Sequence, residues 1–218
     1  MDVILFGPPG AGKGTQAAAI IDHLKIPQVA TGDIFRRHLK EGTPLGKLAK
    51  SYMDSGALVP DQVVCDIVAS RLGEDDAARG ALLDGFPRTV AQAELLQKWL
   101  RDHGRKIDAV ISLVVDDKAL VARLAARRTC PNDGSTYHLV NSPPQRDGIC
   151  DACGGPLIQR DDDKEATILA RLQTYREQTE PVLSWLDGKA PIRTIDGQQP
   201  IGVVRKQILE ALDALGLR

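Results

Sequence analysis

Gly7-Pro8-Pro9-Gly10-Ala11-Gly12-Lys13-Gly14-Thr15 is a glycine-rich run with a lysine near its end, and it could grip phosphate. Glycines let such a loop fold until several N–H groups aim at one anion, and the positive end of a following helix strengthens that field. Lys13 adds a full charge for the outer phosphates. The apolar stretch 1–6 reads as a buried strand and a helical pattern begins after the loop, so the order is strand, loop, helix, the P-loop arrangement. Glycines alone also make plain turns. Gly7, Gly12 and Lys13 at this spacing directly after a strand favour a nucleoside triphosphate site. Gly14, rather than Ser or Thr, follows the lysine, and the hydroxyl comes one residue later at Thr15.

A phosphoryl group needs an acceptor, and the chain has many arginines outside the loop. Leu82-Leu83-Asp84-Gly85-Phe86-Pro87-Arg88 is an apolar strand that ends in an acid. A carboxylate there can hold magnesium or water beside a P-loop, or can simply cap the strand. Gly85 and Pro87 would bend the chain and project Arg88 above the carboxyl end of the sheet, where open α/β folds bind ligands. Arg36, Arg123, Arg127, Arg160 and Arg171 are further candidates; each alone could be a solvated surface charge.

Cys130-Pro131-Asn132-Asp133 and Cys150-Asp151-Ala152-Cys153 form two short-spaced pairs of potential ligands. Cys130, Asp133, Cys150 and Cys153 would give a closed tetrahedral zinc site. The alternatives are a metal-free segment with thiols or a Cys150–Cys153 disulfide. His138 could compete as a ligand, but reads better as a hydrogen-bonding loop residue beside Tyr137. The fourth cysteine, Cys65, reads as a small buried apolar residue on a helix.

Alternating strands and helices must position these groups. Strands are expected over 3–6, 28–30, 81–84, 109–115 and 192–196. Helices are expected near 14–23, 34–41, 43–55, 61–72, 90–103, 118–127, 164–188 and 201–215. That pattern is α/β with a parallel five-stranded sheet in three layers. Residues 129–160, rich in Pro, Gly, Asn and Asp, read as an inserted small module, and 31–59 as a helical insertion. The 218 residues can bury a real core. Twenty-eight basic against 29 acidic residues give a formal charge of -1, which offers no global case for nucleic acid. No apolar stretch approaches a membrane span and the first residues lack a leader pattern, so a cytoplasmic protein is expected.

Residues 7–16, Thr31-Gly32-Asp33, Asp84-Gly85-Phe86-Pro87-Arg88-Thr89 and Arg160-Asp161-Asp162-Asp163 together resemble adenylate kinase in its long-lid form, in order and across essentially the whole chain. That family also has glycine after the P-loop lysine. The resemblance implies reversible phosphoryl transfer from ATP to AMP, giving two ADP, with Mg2+ accompanying ATP. It implies a core of 1–29, 60–125 and 164–218, an AMP-binding insertion 30–59 and a lid 126–163 that carries zinc on three or four cysteines. Carried over, Gly10, Ala11, Gly12, Lys13, Gly14, Thr15, Arg123, Arg127, Thr136, Tyr137 and Gln199 would contact ATP. Thr31, Arg36, Ala57, Leu58, Val59, Gly85, Phe86, Pro87, Arg88, Gln92, Arg160 and Arg171 would contact AMP, with Gln92 reading the base. Lys13, Arg36, Arg88, Arg127, Arg160 and Arg171 would be catalytic. A monomer is expected, because both insertions need room to swing. The alternatives are a nucleoside monophosphate kinase for another base or with GTP as donor, and a non-catalytic P-loop switch.

Overall fold

The computed structural model describes residues 1–218. Five strands build one parallel sheet: β1 (Asp2–Phe6), β2 (Gln28–Ala30), β3 (Ala81–Asp84), β4 (Ile107–Val114) and β7 (Ile192–Asp196), in the order β2-β3-β1-β4-β7. The central strand β1 is buried on both faces, which is why it reads as an unbroken apolar run. Its side chains alternate between two cores. Val3 and Leu5 pack with Ile20, Leu24, Ile111, Leu120 and Ile208 on one face. Ile4 and Phe6 pack with Val68, Leu72, Leu83, Leu96 and Leu100 on the other. Helices on both faces complete three layers: α1 (Lys13–Leu24), α4 (Asp61–Leu72), α5 (Val90–Asp102), α6 (Asp117–Ala125), α7 (Glu165–Thr174), α8 (Pro181–Leu186) and α9 (Ile201–Ala214). Cys65, on α4, is half-buried rather than enclosed, and packs against the edge of the second core.

Two segments leave this frame. Between β2 and α4 run α2 (Thr31–Lys40) and α3 (Pro44–Ser55). Thr43 caps α3 by accepting from the Gly46 N–H, Pro44 supplies a ready-made first turn, and Gly56 ends the helix at positive φ. After α6, the short antiparallel pair β5 (Arg127–Thr129) and β6 (Thr136–His138) starts a separate two-stranded sheet.

Beyond shifts of one or two residues at other ends, three expected helices differ. The helix expected over 118–127 stops at Ala125, and Arg127 opens β5 opposite His138. The helix expected from Ile34 starts three residues earlier, at Thr31. The single helix expected over 164–188 is broken. After α7 the turn widens over Tyr175–Thr179, where the Glu180 N–H bonds back to the Tyr175 carbonyl at 2.8 Å, and α8 begins at Pro181. Pro181 has no N–H to continue the ladder, so the carbonyls before it need other partners.

Leu83 has no exposed surface and sits between Ile4 and Val29 in the sheet. Leu83→Ala should cost about 2–5 kcal/mol of stability, read as a lower denaturant midpoint with an unchanged slope.

Candidate active site

The carboxyl ends of β1 and β3 are adjacent, with Leu5 beside Asp84 in the register. Each feeds a loop, so both loops open on one crevice. Gly7 leaves β1 at φ 144°, and a Cβ there would stand 2.8 Å from the Leu113 carbonyl oxygen; only glycine fits so close to β4. Gly12 is left-handed and turns the chain into α1 at Lys13. Gly10 packs against Leu124 of α6, Ala11 is buried, and Gly14 and Thr15 are exposed on the first turn of α1.

The Lys13 ammonium donates to the carbonyls of Gly7 at 2.7 Å and Pro8 at 3.0 Å, curling over its own loop. Burial lowers its pKa to about 8; Asp84 opposes the shift, while Arg88, Arg171 and Arg127 reinforce it. Burial raises the pKa of Asp84, against the pull of Lys13, and the Gln28 amide donates to its carboxylate at 3.1 Å. Asp84 and Lys13 thus lie near enough to act on each other's charge, without forming an ion pair.

Beyond Asp84, Gly85, Phe86 and Pro87 carry the chain to Arg88, whose Nε donates back to the Gly85 carbonyl at 2.7 Å. Phe86 and Pro87 line the cavity beside Lys13, together with Arg88 and Arg171. A second cavity opens on the other side of the same two arginines. Thr31, Arg36, Ala57, Leu58, Val59 and Gln92 line it, with Phe35, Met53 and Val64. Most of the residues expected at the acceptor thus meet around one hollow. Thr31 is buried and its hydroxyl donates to the Gly85 carbonyl at 2.9 Å, tying α2 to the Asp84 loop.

Gln92 is engaged on both sides of its amide. Its Oε1 accepts from the Arg88 N–H at 2.7 Å, and its Nε2 donates to Asp61 at 2.8 Å. One N–H and one lone pair are left over. Asp61 also accepts from the Thr89 hydroxyl at 3.0 Å, so it locks the Arg88 turn from α4. Asp61 lies outside the sequence-derived set; as the residue after Pro60 it reads only as a helix start.

The remaining arginines arrive from the other side. Arg127 is bidentate to Asp163 at 2.6 and 2.8 Å. Arg171, on α7, shares Asp163 at 3.2 Å and meets Asp162 at 3.2 Å. Arg160 donates to the Thr129 hydroxyl at 2.9 Å, and Arg36 pairs with Asp33 on its own helix. Burial lowers the pKa of Arg88 to about 10, with Arg171 adding to the shift, and that of Arg160 to about 9, with Arg36 and Arg127 adding. Six cations thus crowd one region; Asp84, Asp162 and Asp163 are the carboxylates set among them, and Asp33 pairs with Arg36 at its edge.

Residues expected at the donor's far end are more scattered. Arg123 donates to the Gly197 carbonyl at 2.9 Å. Gln199 is exposed and bonds Asp196 at 2.9 Å. Thr136 is exposed on β6. The Tyr137 hydroxyl accepts from the Asp151 N–H at 2.8 Å and lies 3.5 Å from Cys150 Sγ, so it buttresses the cysteine cluster.

That cluster is compact. The ligand atoms of Cys130, Asp133, Cys150 and Cys153 all lie within 4.8 Å of one another, with Cys130 and Cys153 sulfurs 3.4 Å apart. A tetrahedral ion with Zn–S bonds near 2.3 Å spaces its sulfurs about 3.7 Å apart, so the donor set and its size fit zinc. The Ser135 backbone N–H holds the Asp133 carboxyl below its usual range, leaving it ionised for a cation. All four cysteines are free thiols. His138 is not in the set: its Nδ1 accepts from the N–H groups of Val140 and Asn141 at 3.1 and 3.0 Å.

A doubly covered parallel sheet, with a glycine loop and a crowd of arginines at its carboxyl end, defines a P-loop protein built to handle more than one phosphate group. A family model described as adenylate kinase matches residues 5–190. Proteins named adenylate kinase are similar over nearly the whole chain: one from Geobacillus sp. (strain WCH70) at 53% identity over 99% of this chain and 100% of its own length, one from Thermoanaerobacter sp. (strain X514) at 50% over 99% and 100%, and one from Staphylococcus aureus (strain Mu50) at 50% over 99% and 100%. The chain belongs to the adenylate kinase family. No helix is long and apolar enough to cross a membrane.

The lowered pKa of Lys13 sets a pH dependence. Protonated Lys13 carries the charge that phosphate needs, and raising the pH through about 8 removes it. The affinity of the free protein for inorganic tripolyphosphate should therefore fall as pH rises from about 7 to about 9, at constant ionic strength, in calorimetric titrations.

Proposed function

We propose that this chain transfers the γ-phosphoryl group of ATP to AMP reversibly, giving two ADP, as a cytoplasmic monomer. The observation that carries this reading is the cation crowd between the P-loop and the second cavity. Burial first, and then the neighbouring arginines, lower the pKa values of Lys13, Arg88, Arg160 and Arg171, so the empty crevice disfavours its own charges. Two bound polyanions would restore that balance.

In this reading the P-loop N–H groups and Lys13 hold the donor's phosphates. Thr31, Arg36 and the cavity walls Ala57, Leu58, Val59, Gly85, Phe86 and Pro87 hold AMP, and Arg88 and Arg171 stand between the two sites. Arginine suits this role because it keeps its charge and grips phosphate through two parallel bonds. Mg2+, travelling with ATP and held near Asp84, would neutralise developing charge. Catalysis then consists of positioning and charge stabilisation, with no general base from the protein. Arg127 and Arg160 belong to the segment 126–163 and reach the phosphates only when it covers the crevice. Closure excludes water and spares ATP from hydrolysis. The free N–H and lone pair of Gln92 are offered to the edge of the acceptor base.

Purified protein given ATP and AMP should make ADP, and should prefer AMP over CMP, GMP and UMP. Arg88→Ala should lower turnover by orders of magnitude with smaller changes in KM, since its contacts peak at the transition state. Near-normal turnover would remove Arg88 from this role. Gln92→Ala should relax selection among acceptor bases; unchanged selectivity would place base reading elsewhere.

Zinc on Cys130, Asp133, Cys150 and Cys153 would be structural. All four positions are taken by protein, and the ion would cross-link a polar segment too small for a core of its own. Metal analysis should find about one zinc per chain. Chelation should lower Tm and leave low-temperature activity largely intact. Asp133→Cys should retain the metal and Cys150→Ser should lose it. Absence of zinc from protein prepared without chelator would overturn the assignment.

A further inference from the structure

Gln16 stands in the first turns of α1, the helix whose N-terminus closes the P-loop. It is 3% exposed, and its Nε2 donates to the Ile201 carbonyl at 3.1 Å, across 185 residues of sequence. Its Oε1 is buried without a partner. Turning the amide over would set oxygen against oxygen, so the bond to Ile201 fixes its orientation. A buried amide that leaves its acceptor unsatisfied is held there by what its donor does.

What it holds is the segment 197–201, which leads from β7 into α9. The front of this segment is already fixed. Gly197 bonds Val114 through its N–H and Arg123 through its carbonyl, each at 2.9 Å. A Cβ on Gly197 would stand 3.3 Å from the Ala11 carbonyl oxygen, so the segment is seated directly on the P-loop. Asp196 accepts from the Gln198 N–H and the Gln199 amide. The back, at Pro200 and Ile201, has neither a side-chain cap nor such a brace, apart from Gln16.

We propose that Gln16 is a positioning residue for the donor nucleotide: it sets the distance between the triphosphate site and the segment 197–201, which carries Gln199, an expected contact to ATP. One helix then carries both the phosphate-binding end and the amide that registers this segment to it. The inference rests on the reading of the P-loop as the donor site and of Gln199 as a contact to ATP.

The test is Gln16→Met, which keeps the volume and removes the amide. The parent is first assayed for ADP formation from ATP and AMP, which judges the donor reading separately. Binding is then titrated with ATP and with inorganic tripolyphosphate, which has no base. Losing one neutral buried hydrogen bond corresponds to roughly a 2- to 10-fold change in an equilibrium. The bond is internal to the protein, so its loss reaches ATP affinity only through re-ordering of the segment: Gln16→Met should weaken ATP by up to that factor, leave tripolyphosphate and the KM for AMP unchanged, and narrow the preference for ATP over CTP. Equal loss of ATP and tripolyphosphate would show that Gln16 merely shapes the P-loop. No loss of either, or a general fall in Tm with both KM values raised alike, would overturn the proposal.

Discussion

Like-charge repulsion inside a partly buried crevice is the constraint on which the rest of this structure depends. Lys13, Arg88, Arg160 and Arg171 all have lowered pKa values, first because burial disfavours their charge and then because neighbouring arginines, Arg36 and Arg127 among them, repel it. Such a group would not assemble unless other forces placed it. The two cores supply that force: β1 and β3 are fixed by burial on both faces, and their carboxyl ends deliver Lys13, Asp84 and Arg88 to neighbouring positions. Asp84, Asp162 and Asp163 offset part of the repulsion. What they leave over is the protein's affinity for polyanions, so instability of the empty site and attraction for nucleotides have one origin.

The acidic partners also link the pieces. Asp163 is shared by Arg127, at the start of β5, and Arg171, on α7. A carboxylate with essentially no exposure that holds two arginines ties the segment 126–163 to the core. Across the opening, the Lys40 ammonium at the end of α2 donates to the carbonyls of Pro131 and Asn132. The helical segment 31–59 thus touches the cysteine-bearing one directly. An arrangement in which the two excursions touch each other is one that limits the access of water to the crevice between them.

Much of this is legible in the residues. Lys13, Asp84 and Arg88 are readable because strand ends and glycines fix where a side chain must go, and the cysteine pairs because ligand spacing constrains geometry strongly. Three things are not. Tyr137 is expected at ATP through the resemblance alone, and that its hydroxyl also serves the cysteine cluster is set by how β6 folds over Cys150. Gln92 has half its amide committed to Asp61 and the Arg88 backbone, and nothing in helical periodicity announces Asp61 as its partner. The break at Tyr175–Thr179 is foreshadowed by Pro181, but an otherwise continuous helical pattern outweighs one residue. In each case the deciding contact is tertiary, made by residues distant in sequence or by a side chain with two plausible partners.

If the crowd of cations exists for the sake of its ligands, removing one cation should relieve the empty protein. Arg88 tests this most directly, since burial and its arginine neighbours both act against its charge. The decisive measurement is the thermal midpoint of Arg88→Met with and without ATP plus AMP. The variant should melt at or above the parent when empty, and gain clearly less than the parent when both nucleotides are added. A variant that melts several degrees below the parent when empty, yet gains as much from the nucleotides, would contradict a crevice strained by its own charge.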